Sequence, residues 1–87
     1  MTDHQPTDVS PEELKAYIRR LEDTLSLVRR RLKRYEDEFG MKSKDFYQLL
    51  QSGQLHNRAD FAEWVSEHER YSRLAEQIDE LKLKLPR

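Results

Sequence analysis

The chain contains no cysteine. That excludes disulfides, thiolate zinc sites and cysteine nucleophiles, and it suits a reducing compartment. Glycine and proline are scarce, two and three residues among 87. Most of the chain therefore carries no helix breaker, and two glycines are too few for a phosphate-cradling loop. No apolar run approaches the ~18 residues of a membrane span, and no signal-peptide pattern opens the polar N-terminus. The expectation is a cytoplasmic protein with no membrane partner. A surplus of one charge is missing as well: 16 basic and 17 acidic residues leave a net charge of −1. Composition-driven disorder needs high net charge together with low hydrophobicity, so the charge balance argues against it.

What is present is charge and a sparse set of apolar residues, 38% and 36% of the chain. A chain so proportioned folds by gathering its apolar side chains into narrow stripes. At 87 residues one domain is expected, with a thin stability margin, because a chain of this size buries only about two thirds of its unfolded surface or less.

Residues 1–10 are polar, carry Pro6, and read as a flexible tail. Ser10, Pro11, Glu12 and Glu13 then supply an N-cap, a first-turn proline and two acids, and Ser10 with Glu13 has the capping-box spacing. Leu14, Ile18, Leu21, Leu25, Val28, Leu32, Tyr35 and Phe39 follow at alternating steps of four and three, an uninterrupted heptad seam flanked by Tyr17 and Leu27. The spacing predicts a helix over 11–38, with Gly40 placed to end it. A short helix is expected over 43–52, capped by Ser43, burying Phe46, Leu49 and Leu50, and punctuated by Gly53. Met41 and Leu55 would anchor the flanking turns. Asn57 is placed to cap a third helix over 58–85, whose stripe reads Phe61, Trp64, His68, Tyr71, Ala75 and Ile78, widened by Val65, Leu74, Leu81 and Leu85. Pro86 would stop it.

The fold class expected is thus all-α: an antiparallel hairpin of two long coiled-coil-like helices joined by a short helix, one domain over 11–87. The charges support the antiparallel direction. Residues 19–34 hold seven basic and two acidic side chains, residues 58–81 three basic and seven acidic. Folding back brings Arg29–Arg34 near Glu63, Glu67 and Glu69, and Glu12 and Glu13 near Lys82 and Lys84. Exposed pairs contribute only about 0–1 kcal/mol each, so they select register and do not drive folding. A two-helix hairpin also leaves apolar surface wet, with Tyr17, Leu27, Leu74 and Leu81 as the expected surplus. A sizeable exposed apolar band usually marks an interface, which predicts a protein partner, self-association into a four-helix dimer, or both.

Chemistry-bearing constellations are weak. His4, His56 and His68 have no paired-ligand spacing, so no metal site is expected. Carboxylates are abundant but fall on solvated helix faces, and acid–base work needs burial. No serine sits in a nucleophile elbow. The chain reads as non-enzymatic, with no cofactor. Arg29, Arg30, Arg31, Lys33 and Arg34 form the one nucleic-acid candidate, since such runs neutralise phosphates. Leu32 belongs to the seam, however, and the five cations wrap around the helix toward acids on its neighbour. Residues 44–68 mimic a helix-turn-helix, but Asp60, Glu63 and Glu67 would face phosphate. Phe61, Trp64 and Tyr71 stand at helical spacing. Such a patch serves either core packing or a partner interface.

The motifs Tyr35-Glu36-Asp37-Glu38-Phe39-Gly40-Met41, Ser43, Asp45-Phe46-Tyr47, Ser52-Gly53-Gln54-Leu55 and Asp60-Phe61-Ala62-Glu63-Trp64, with Tyr71 and Leu74 beyond, resemble those of a group of small helical prokaryotic proteins encoded beside a toxin gene and regarded as antitoxins. The likeness spans about Leu14 to Leu81 and rests on its YExxFGM and DFxEW elements. The Arg29–Arg34 run and the tail lie outside the pattern. The resemblance implies a protein that binds and masks a toxin. Phe61, Trp64, Tyr71, Leu74, Tyr35 and Phe39 are then the candidate partner-binding residues.

Overall fold

The entry into the first helix follows from four consecutive residues. In the computed structural model, which describes residues 9–55 and 59–86, the Ser10 hydroxyl accepts the Glu13 N–H at 3.1 Å and the Glu13 carboxylate accepts the Ser10 N–H at 3.0 Å. With two orphan amide donors satisfied and Pro11 needing none, α1 runs over Pro11–Phe39. Gly40 closes it in the left-handed conformation (φ 67°), its N–H donating to the Glu36 carbonyl at 2.8 Å. α2 spans Ser43–Gln51 and ends on a turn through Gly53 (φ 76°). α3 spans Ala59–Lys82. The described residues are helices and connecting turns, without a strand.

One cap and one boundary depart from the sequence expectation for physical reasons. Ser43 does not cap α2. It is the first helical residue, Lys42 occupies the cap position without a side-chain bond, and the Ser43 hydroxyl is engaged elsewhere. α3 stops three residues before Leu85. Lys84 and Leu85 donate to Leu81 and Lys82, the tighter three-residue spacing, because Pro86 disfavours helical backbone at the residue before it. The Asn57 cap lies outside the described residues.

α1 and α3 pack antiparallel. As α1 advances four residues from Arg31 to Tyr35, its partners on α3 step back four, from Glu67 to Glu63. The charge reading holds in part. Arg31 meets Glu67 at 3.5 Å, but Lys82 pairs with Glu22 at 2.9 Å and not with the acids at the start of α1. Glu13 is already committed to the cap.

Burial is uneven along the hairpin. Val28, Leu32, Phe46, Phe61 and Trp64 form one buried cluster where α2 lies across the other two helices. Farther out, where each helix has a single neighbour, Ile18 and Ile78 alone among the described residues are buried, and Leu14, Leu21 and Leu25 of the seam stay half-covered. The stripe is continuous, but coverage of it requires a third layer, and α2 supplies one only at the closed end.

Candidate partner interface

The aromatic residues converge on one corner. Trp64 is fully buried, with its ring stacked on Phe46 (centroids 3.7 Å apart, 3° between planes) and stacked on Tyr35 and Phe39 at 5.6 and 5.4 Å. Phe61 stands edge-on to Phe39 and Phe46 at 5.5 and 5.1 Å. A buried indole N–H needs an acceptor, and Ser43 provides it: Trp64 Nε1 donates to Ser43 Oγ at 2.8 Å. Ser43 is itself fixed by its N–H, which donates to Glu36 Oε2 at 2.8 Å. This relay ties all three helices together through one tryptophan.

That placement revises the expected roles of the aromatic set. Phe61 and Trp64 are core residues here, 9% and 0% exposed, so Trp64 presents no surface to a partner and Phe61 little. Packing on both sides of the stripe is the reason: α2 covers the face that the sequence left open. Tyr35, Phe39, Tyr71 and Leu74 pack against the same cluster and are half-buried, with edges that reach solvent. The structure therefore brings the six candidates together, as a scaffold more than as a contact surface.

The polar rims of this corner are paired. Tyr35 donates to Glu63 at 3.1 Å, and Tyr47 donates to Glu69 at 3.0 Å. Both phenols are shifted above their ordinary value of 10.0, Tyr35 first by desolvation and then by its carboxylate partner, Tyr47 first by its hydrogen bond to Glu69. His68 lies against the Tyr47 ring at 4.9 Å. Among the described residues no group of three His, Asp or Glu side chains is arranged to hold a metal ion, and no helix is long and apolar enough to cross a membrane.

The five cations of the Arg29–Arg34 run are dispersed around α1. Arg31 leans on Glu67, whose second oxygen is buried without a hydrogen-bond partner. Lys33 pairs with Asp37 at 2.6 Å, which raises the lysine above its ordinary value. Arg29 and Lys33 border a cleft beside α2 together with Lys42 and Lys44, and Arg34 borders a different cleft beside Glu63. Arg30 is exposed. The run does not form a single strip.

A larger groove than either of these lies elsewhere, at the free end of the hairpin. Val9, Leu14, Tyr17 and Leu81 floor a space of about 710 Å³, with Glu13, Arg20 and Lys84 on its rim. Gln77 Nε2 donates to the Tyr17 hydroxyl at 3.2 Å and fixes the ring across the gap between α1 and α3, while the Arg20 guanidinium lies 5.7 Å from the ring centre. Val9 is 48% exposed and Leu83, just beyond, 81%. Tyr17 and Leu81 were legible as surplus apolar residues from the widened stripe. Val9 falls in the tail expected to be flexible, and only the fold places it in the groove.

No protein-family model matches the chain, and no curated protein or solved structure gives a match.

Proposed function

We propose that the chain is a non-enzymatic binding protein of the antitoxin type, which acts in the cytoplasm by masking a cognate toxin encoded beside it. The observation that carries the reading is how the surface divides. The motif residues Tyr35, Glu36, Phe39, Gly40, Ser43, Phe46, Phe61 and Trp64 are the ones spent on joining the three helices. Of the exposed large apolar side chains, Val9, Tyr17 and Leu83 lie toward the free end, away from that joint, and Leu27 is next to the buried Val28 in the chain. Shared motifs then define a scaffold, and the apolar surface outside them is free for a protein partner. The test is expression of the neighbouring reading frame alone and together with this chain. Growth arrest by the first, relief by the second and a co-purifying complex support the proposal. Loss of both relief and complex refutes it.

Self-association is a second reading, favoured by one observation. Leu21 and Leu25 of the seam are only half-covered in the two-helix part of the hairpin. Pairing of two hairpins into a four-helix bundle would cover them. Light scattering across a concentration series decides between monomer and dimer.

A further inference from the structure

We infer that the groove at the free end of the hairpin is the docking site for an apolar partner segment edged with carboxylates. The inference rests on the binding-protein reading above and names the place and the chemistry of contact. Three features converge there. The floor is apolar, built from Val9, Leu14, Tyr17 and Leu81. The rim carries Arg20 and Lys84, neither of which has an ion-pair partner among the described residues. The acid on that rim, Glu13, spends a carboxylate oxygen on the Ser10 N–H in the capping box. The groove thus offers two unpaired cations over an apolar floor, and complementarity selects acids flanking an apolar ridge.

The contrast with the other clefts decides the assignment. The cleft between Arg31, Arg34, Glu63 and Glu67 holds both signs, with Arg31 and Glu67 already paired. The cleft beside α2 sets Arg29, Lys33, Lys42 and Lys44 against Glu36 and Asp45, and Lys33 is bound to Asp37. Arg34 in the first cleft, and Arg29, Lys42 and Lys44 in the second, also lack an ion-pair partner among the described residues, but each of these clefts carries two acids and a single aliphatic side chain, Ala62 or Leu32, where the free-end groove has Val9, Leu14 and Leu81 and one acid.

The experiment is titration of the full chain with the neighbouring gene product, by calorimetry at low and high salt. The double reversal Arg20→Glu with Lys84→Glu is compared with Arg29→Glu with Lys44→Glu on the α2 side. Both alter exposed side chains, and circular dichroism checks that helix content is kept. The first variant should bind at least about tenfold more weakly, with the loss shrinking at high salt, and the second should stay within about twofold of the parent. Tyr17→Ala should weaken binding without changing its salt dependence. Unchanged binding by Arg20→Glu with Lys84→Glu, or a larger loss from the α2-side pair, overturns the assignment while leaving the antitoxin reading in place. A parent chain that is dimeric and turns monomeric on Arg20→Glu with Lys84→Glu also overturns it, because a second copy then fills the groove. A parent that neither binds the product nor relieves growth arrest refutes the antitoxin reading itself, and with it this occupant.

Discussion

Ser43 is the residue on which the joint between helices depends. Its hydroxyl is the acceptor for a fully buried indole, and its own amide is held by Glu36. Ser43→Ala leaves the Trp64 N–H without a partner in a space that water does not reach. The expected cost is about 1–3 kcal/mol, the range for orphaning a buried donor, and urea denaturation followed by Trp64 emission measures it, since the chain has one tryptophan. Tyr35 and Tyr47 give a pH signature. Both hold their protons more tightly folded than unfolded. The stability they contribute is complete below the ordinary phenol value of 10.0 and is lost as pH rises through it toward the raised folded values. Melting temperature should therefore fall more steeply above that pH in the parent than in Tyr35→Phe. Identical slopes would remove Tyr35 from the account.

At the scale of the element, the ends of α1 are set by local chemistry. Ser10→Ala should cost about 1 kcal/mol by exposing the Glu13 amide. Gly40→Ala should cost roughly 1–2 kcal/mol, the penalty of a Cβ in left-handed backbone. No heavy atom lies within 4 Å of the position that Cβ would take, so no steric term adds to it. Thermal unfolding of each variant checks both values. These two sites were legible in the sequence because every group involved lies within a few residues. Ser43 was misread for the opposite reason: its partner is Trp64, 21 residues away, and a serine ahead of a helix looks the same whether it caps that helix or accepts from another. The end of α3 was legible only in part: Pro86 marked that the helix stops, but the expectation carried it to Leu85, whereas the α-helical hydrogen bonding ends at Lys82 and tighter turns follow. The aromatic stripe was read correctly as a stripe. Periodicity does not tell which of its sides α2 covers, so Phe61 and Trp64 could be assigned to a partner until the third helix was in place.

Over the whole molecule, the hairpin is a gradient. Its closed end has three layers and a fully buried tryptophan, and its free end has two helices and half-covered leucines. Opening free energy should follow the same gradient. Native-state hydrogen exchange is expected to show greatest protection around Val28–Tyr35 and Trp64–His68, and least in the first turns of α1 and the last turns of α3. Uniform protection along both helices would mean that the free end is covered by something in solution, and a dimer of hairpins would then be the first explanation. Because the least stable end is also the end that carries the apolar groove, partner binding there should raise its protection toward that of the core.

The central claim is that the aromatic corner is scaffold and the free-end groove is the contact surface. A titration of isotopically labelled chain with the product of the adjacent reading frame, followed by amide and indole shifts, separates the two in one spectrum. The account predicts early, large shifts at Val9, Tyr17, Arg20, Leu81 and Lys84, with the Trp64 indole signal held in place by Ser43. Movement of the Trp64 indole ahead of those positions would contradict it.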